Sequence, residues 1–264
     1  MLSSGSSANS YVAWTETSMI LVDAGLSGKR TAQALSSFSL DIQNVDAIFI
    51  THEHTDHIIG AGVLSRRYGI PVYTTARTYF AAQHRLGKLE ELVFIDSSGE
   101  VQMGDLAVES FPVPHDAADP VGFVIRHRGQ KLVICSDLGE LPQSAVPLIT
   151  NPDVLIIESN YNIDMLKNGP YPAHLKSLIQ SSLGHLSNID TGKAITRILG
   201  PRTLHVLLAH ISRNNNSPDQ ALQDVRGVLR FHGKKFHSLH TTEHKRTLGP
   251  FSCGGGEGRR EEDM

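Results

Sequence analysis

The chain has 264 residues, 40% of them hydrophobic and 19% charged, with a formal net charge of -3. That length suits one large domain with a sizeable core rather than two small ones. The mildly acidic balance excludes a global basic field for nucleic acid, so such binding would need a local surface. Cys135 lies in an apolar run and Cys253 in a Gly-rich tail. Two such cysteines form no disulfide framework and fit a reduced, cytoplasmic chain. Met1-Leu2 runs directly into Ser3-Ser4-Gly5 without the apolar core of a secretory leader. No apolar run approaches the ~18 residues of a membrane span, so neither leader nor span is expected.

Residues 3–10 read as a small-residue loop, and 11–14 and 18–23 as two strands of a hairpin. A helix is predicted over 27–38, with Ser27 as its N-cap. The apolar run Ala47-Ile48-Phe49-Ile50 predicts a buried strand. A helix to about Tyr68 follows it, then a strand near 72–74 and a helix over 76–86. From 91 to 135 the pattern changes to strands at 91–95, 106–111, 121–125 and 131–135. Gly104-Asp105 and Arg128-Gly129-Gln130 are the hairpin turns among them. Buried strands at 154–157 and 203–208 then alternate with helices at 172–182, 187–198 and 218–230. The last helix has a strong start, with Ser217 as N-cap, Pro218 next and Asp219 in the positive first turn. Two strand-rich halves that each end in helices predict an α+β fold, a four-layer αββα sandwich of two mixed sheets flanked by helices. One domain is expected over 1–250, with 251–264 as a disordered polar tail.

The chemistry centres on Thr51-His52-Glu53-His54-Thr55-Asp56-His57, directly after the buried strand. In an extended segment His52, His54 and Asp56 share parity and project one way, while His57 turns the corner. Later strand ends add His115, Asp137, Glu158 and His210. A polar side chain there tends to project into the crevice at the sheet edge. His52, His54, Asp56, His57, His115, Asp137 and His210 exceed the four ligands, about, of one tetrahedral zinc. They suit two divalent metals with open positions for water. We assign His52, His54 and His115 to the first metal, and Asp56, His57 and His210 to the second, with Asp137 bridging. This donor set favours Zn²⁺ and accepts Mn²⁺ or Fe, and it contains no thiolate.

These motifs resemble the five motifs of the metallo-β-lactamase superfamily. More closely, S-S-G-S-S-A-N-S, V-D-A-G-L-S-G, G-H-L-S-N and A-H-I-S-R-N-N-N-S-P resemble its YycJ/WalJ-like branch, over about residues 3–240. The resemblance implies an αββα sandwich, a dinuclear site and nuclease-type phosphodiesterase activity on DNA ends. Two departures stand out. Only Met1 and Leu2 precede the Gly–Ser loop, where the family has an opening strand. Ala8 also replaces a family glycine, and it would be strained if that position needs a positive φ.

Fold and metals alone also permit lactam, thioester or lactone hydrolysis. Phosphodiester chemistry is favoured by Glu158 and His185, because the superfamily's phosphodiesterases use a Glu and a His at comparable places to help the leaving oxygen depart. A His near its usual pKa can supply the proton an alkoxide needs. Ser187 and Ser217 cap helices whose N-termini suit phosphate oxygens. Ser187, Asn188, Asn214 and Asn216 are the candidate substrate contacts. The expected reaction is in-line attack on phosphorus by a metal-bridging hydroxide oriented by Asp56, with His185, tuned by Glu158, as general acid. The alternative is a small-ester, thioester or lactone hydrolase with an apolar acyl pocket. Arg66, Arg67, Lys88, Arg126, Arg128 and Arg213 are candidate contacts to a nucleic acid held weakly and with strong salt dependence. The stretch from Asp137 to His210 is too short for the extra domain that β-CASP nucleases insert there.

Overall fold

The expected hairpin forms: β1 (Tyr11–Trp14) pairs antiparallel with β2 (Met19–Val22) in a computed structural model that describes residues 1–236, 238–241 and 246–254. α1 (Gly28–Ser36) follows at Ser27, although the Ser27 side chain makes no cap bond. β3 (Ala47–Phe49) leads into the histidine motif. The helix expected up to Tyr68 is divided into α2 (Thr55–Ile58) and α3 (Ala61–Tyr68). The break falls at Gly60, where a Cβ would sit 2.0 Å from the Leu26 carbonyl oxygen. The chain therefore passes tightly under the loop that leaves β2. β4 (Val72–Thr74), α4 (Ala76–Leu86) and β5 (Leu92–Phe94) complete a first sheet in the order β1-β2-β3-β4-β5, parallel from β2 onward.

The second sheet begins with β6 (Glu100–Met103), β7 (Leu106–Pro112), β8 (Val121–His127) and β9 (Gln130–Cys135), all antiparallel neighbours. After α5 (Val146–Ile149) comes β10 (Val154–Glu158), then α6 (Ile163–Asn168), α7 (Ala173–Ile179) and α8 (Asn188–Ile198). β11 (His205–Ala209), α9 (Pro218–Phe231) and β12 (Leu239–Thr241) close the order β12-β11-β10-β9-β8-β7-β6, with β9 to β12 parallel. β10 is buried along its whole length, as a central parallel strand covered on both faces must be. Four elements here have no counterpart in the sequence reading: α5, α6, β6 and β12. Each is only three to six residues long, so its local pattern is weak and tertiary packing decides it.

Three apolar layers hold this αββα sandwich together. Ile20, Val22, Phe49, Phe123, Ile134, Ile156 and Leu207 fill the space between the sheets. Phe49 stacks on Tyr73 at 4.8 Å and meets Phe123 edge-on at 5.6 Å. Leu35, Leu64, Ala82 and Leu86 close the outer face of the first sheet, and Ile195, Ile198, Val225 and Leu229 that of the second. Each such buried aliphatic side chain contributes roughly 1.5–3 kcal/mol of transfer free energy.

Two expectations change at the chain ends. Ala8 has no positive φ, so the strain foreseen there is not present; Gly5, at φ 124, takes the unusual turn instead. Met1 and Leu2 are buried, with Leu2 N–H bonded to the Ser10 carbonyl and Leu248 N–H to that of Met1. The expected boundary at 250 is also too early. Phe251 and Cys253 pack against the inter-sheet core, and Phe251 lies 4.9 Å from the His205 ring. Residues 255–264, the rest of the expected tail, lie outside the described residues. No helix among the described residues is long and apolar enough to cross a membrane.

Candidate metal centre

The C-terminal ends of β2, β3, β9, β10 and β11 gather at one edge of the sandwich. Three of these strands hand over to residues with left-handed backbone: Asp23 (φ 59) after β2, Asp137 (φ 56) after β9 and His210 (φ 50) after β11. Such conformations are uncommon outside glycine and cost of order 1–3 kcal/mol each. Here they turn each chain sharply out of its strand, so that the side chain points into the crevice.

His52, His54 and His115 come together on one side. His52 Nε2 is 3.0 Å from His54 Nδ1, which is 3.3 Å from His115 Nε2. His115 Nδ1 donates to the Gly184 carbonyl at 3.0 Å, leaving its Nε2 as a lone pair aimed at the group. On the other side are Asp56, His57 and His210. Asp56 Oδ2 lies 3.5 Å from His57 Nε2 and 3.6 Å from His210 Nε2. Asp137 stands between the sets, with Oδ2 3.3 Å from His57 Nε2 and Oδ1 3.1 Å from His210 Nδ1. In each set the potential ligand atoms lie within 4.8 Å of one another, and His52, His57 and Asp137 form a further such group that links the two. All seven residues singled out from sequence thus converge.

Electrostatics divides the crevice. Burial pushes His52 well below the usual imidazole range, with His57, His115 and His54 adding to the effect. Burial works the same way on His57, but Asp137, Asp23 and Asp56 outweigh it and raise that imidazole to about 9. For Asp56, burial opposes ionisation, yet the hydrogen bond to His210 and the charges of His57 and His210 hold the carboxyl well below its ordinary value. Neutral His52 on one side therefore faces an ionised Asp56 and a protonated His57 on the other. Asp137 Oδ2 is buried and makes no hydrogen bond. Converging imidazole lone pairs beside such an orphaned oxygen fit divalent cations, which satisfy both at once.

Several supporting residues were not anticipated. Asp23 Oδ2 holds His57 Nδ1 at 2.7 Å, and Asp23 itself accepts from Thr51 N–H at 2.9 Å and from the Thr51 hydroxyl. It follows the apolar strand β2 just as Asp137 follows β9, a signal that was readable. Asn9 Nδ2 lies 3.0 Å from both Asp56 Oδ2 and His57 Nε2, and Ser4 Oγ accepts from His210 N–H at 2.7 Å. The N-terminal loop thereby braces the second set, a role no local pattern carries. Carboxylates behind ligand histidines typically contribute 10–100-fold in metal affinity. Asp23→Ala is expected to weaken divalent-ion binding by about that factor in a chelator-competition titration. Unchanged affinity would remove Asp23 from the centre.

Glu158 is fully buried. Its Oε1 accepts from Leu138 N–H (3.1 Å) and Leu186 N–H (2.8 Å), and its Oε2 from His185 Nδ1 (2.9 Å) and His210 Nδ1 (3.1 Å). Burial alone would raise this carboxyl, but His185 and His210 hold it well below the usual range. Glu158, expected as catalytic, is fully buried, and its carboxylate lies with the side chains of His185, His210 and Asp137 in a further group of potential ligand atoms. His185 is 20% exposed, its ring 5.1 Å from both His115 and His210.

Three of the four expected substrate contacts are corrected. Ser187 is buried and caps α8, accepting from Asp190 N–H and donating to the Asp190 carboxylate. Asn188 and Asn216 are buried and exchange amide hydrogen bonds with each other (3.0 and 2.8 Å), and further bonds to Asp224, Ser159 and Asn160 use their remaining capacity. They tie α8 to the loop before α9. Asn214 remains exposed, donating to the Tyr171 hydroxyl. The expected cations also redistribute. Arg66 donates to the Leu86 and Lys88 carbonyls, and these residues with Arg67 lie where α3 and α4 end, away from the crevice. Arg126 and Arg128 sit at the β8–β9 turn, the opposite end of the sandwich. Only Arg213, bonded to Ser7 Oγ, stays beside the site.

The family model for the β-lactamase superfamily domain matches residues 18–211. The chain belongs to the metallo-β-lactamase superfamily. Within this superfamily it is a YycJ/WalJ-like protein. It is 38% identical over 250 residues to the exodeoxyribonuclease YycJ of Bacillus anthracis, covering 93% of this chain and 95% of that one. It is 39% identical over 225 residues to the exodeoxyribonuclease WalJ of Streptococcus pneumoniae, covering 84% of each. The metallo-β-lactamase fold protein YhfI of Bacillus subtilis superposes with a TM-score of 0.69 at 17% identity, over 92% of this chain and 93% of that one, a likeness of fold alone.

Proposed function

We propose that this superfamily member is a metal-dependent exodeoxyribonuclease that hydrolyses phosphodiester bonds at DNA ends. The observation that carries the reading is the ion pair of buried Glu158 with half-buried His185 at the rim of the metal centre. Ester, thioester and lactone hydrolysis have less need of a proton donor at that place. The YycJ and WalJ relatives support the same chemistry. The two ligand sets, with His52, His54 and His115 in one, Asp56, His57 and His210 in the other, and Asp137 shared, would hold two divalent ions, Zn²⁺ or Mn²⁺ with Fe permitted. Such ions supply Lewis-acid polarisation of a phosphoryl oxygen and a water acidic enough to ionise near neutral pH.

The chain's own residues supply orientation and proton transfer. Glu158 accepts a hydrogen bond from His185 Nδ1–H and so aims the opposite nitrogen, Nε2, outward at the rim. In the protonated imidazole, Nε2–H delivers its proton to the departing 3′ or 5′ oxygen. Asp56, braced by Asn9, orients the attacking water. Neither of two large cavities, of about 630 and 520 Å³, is lined by a residue of the metal centre, so they offer no acyl pocket for the ester-hydrolase alternative. The unpaired Cys135 and Cys253 support a reducing, cytoplasmic setting. With a net charge of -3, DNA binding should be weak and strongly salt-dependent.

The deciding experiment offers the metal-loaded protein bis-p-nitrophenyl phosphate, a 5′-labelled single-stranded DNA, a lactone and a thioester. Phosphodiester turnover is expected, and ester or lactone turnover without it would overturn the proposal. Chelation provides a second check. Ions present at ~1,000 times their Kd add about 4 kcal/mol to the folded state. Removing them should lower Tm by roughly 8–16 °C in a domain of this size. An unchanged melting curve after chelation would mean that the centre holds no metal.

A further inference from the structure

We propose that Phe80 and Phe94, backed by Tyr79 and flanked by Arg77, form a stacking platform for the unpaired bases of a single-stranded DNA end. The proposal rests on the nuclease reading above and extends it to the conformation of the substrate. Phe80 is 60% exposed and Phe94 52%, an arrangement that costs burial energy unless something covers the rings. The centroids of Phe80 and Phe94 are 6.2 Å apart at 37°, and Tyr79 meets them at 5.5 and 5.8 Å with angles of 61° and 63°. None of the three pairs is face-stacked, and Tyr79 meets both phenylalanines edge-on.

Position favours DNA over another occupant. Phe94 ends β5 and pairs with Thr74 at the end of β4, so it lies at the same strand ends that build the metal centre. α4 is also tied to that centre. Glu53, within the histidine motif, accepts from Ala118 N–H at 2.8 Å. The next residue, Asp119, accepts through its carbonyl from the Thr78 hydroxyl at 3.2 Å and, more weakly, from that of Thr75. α2, which carries Asp56 and His57, packs on α4 as well. Charge agrees with position. Arg77 lies three residues before Phe80, on the same helix face, and is exposed. Arg77 makes no ion pair or side-chain hydrogen bond among the described residues. An exposed cation beside aromatic rings suits a phosphate backbone whose bases stack one by one. A DNA end bound there would run from the His52, His54 and His115 side of the centre along the start of α4. Bases in a duplex are already stacked on one another and cannot use these rings.

The test measures binding to the metal-loaded protein by fluorescence anisotropy, using a phosphorothioate dT12 that resists hydrolysis and an abasic strand of equal length. Phe80→Leu and Phe94→Leu, which keep apolar bulk, are each expected to weaken dT12 binding about 5- to 100-fold and leave the abasic strand little changed. Phe80→Trp, which keeps a ring, should bind dT12 at least as tightly as the parent protein. Arg77→Ala should make the log–log salt dependence shallower by about 0.7. Unchanged dT12 affinity in both Leu variants, or equal losses on the two strands, would overturn the platform and leave the rings to a protein partner. Turnover of bis-p-nitrophenyl phosphate by the parent protein judges the nuclease reading separately, because the binding measurement needs no catalysis.

Discussion

A protein carrying His185→Ala is expected to cleave DNA about 10²- to 10⁴-fold more slowly while keeping its full metal content. The effect should depend on the leaving group. A deoxyribose oxygen leaves as a strongly basic alkoxide and needs a proton, whereas p-nitrophenolate departs without one. Turnover of bis-p-nitrophenyl phosphate should therefore fall far less than turnover of DNA. Glu158→Gln should share this selectivity, because the carboxylate acts through His185 Nδ1. It should also destabilise the fold, since Glu158 is fully buried and accepts four hydrogen bonds. Equal losses on both substrates in His185→Ala would show that His185 shapes the centre rather than donating a proton. Loss of metal in that variant would lead to the same conclusion.

Asp137→Ala should have the larger effect on metal content. Its carboxylate is the one group within reach of both His57 and His210 while also offering an unbonded buried oxygen. Elemental analysis of the purified variant is expected to find the bound metal reduced by half or more, with DNA turnover down by at least about 10²-fold. A purely structural role predicts a different pair of results. If Asp137 only neutralised His57 and His210, its removal would leave buried charge unpaired and cost about 3–5 kcal/mol of stability. Metal content would then stay as in the parent protein. A lower Tm with unchanged metal would thus refute the bridging role.

The metal centre was largely legible in the sequence because its residues obey two local rules. His52, His54, Asp56 and His57 lie within one short segment after an apolar strand, although α2 begins at Thr55 and carries Asp56 to the second set, against the shared parity expected of an extended segment. His115, Asp137, Glu158 and His210 each stand at the end of a strand that the sequence marks by its apolar run. Strands that run in one direction bring such ends to one edge, so the convergence of the seven candidate residues needed no knowledge of distances. The layered fold followed from the same strand and helix rhythm.

Other assignments failed for a common reason. Ser187, Asn188 and Asn216 have the chemistry of substrate contacts, yet burial and reciprocal amide bonds consume it. A residue's donors and acceptors are readable in sequence, but what already occupies them is not. Arg66, Arg126 and Arg128 carry the right charge at the wrong end of their elements, while Arg77 lies at the end nearer the crevice.

By itself, the sequence determined which side chains could bind metal, the alternation of strands and helices, and the kind of chemistry those ligands allow. These depend on residue identity and near-neighbour spacing, which chain order carries directly. Only the tertiary structure decided that Asn9 and Ser4 brace the second ligand set and that Glu158 works from behind two histidines. It likewise decided which asparagines are already bonded, and that two exposed aromatic rings from separate elements, Phe80 and Phe94, meet on the surface. Those facts depend on contacts between segments far apart in the chain, set by how the two sheets and their helices pack.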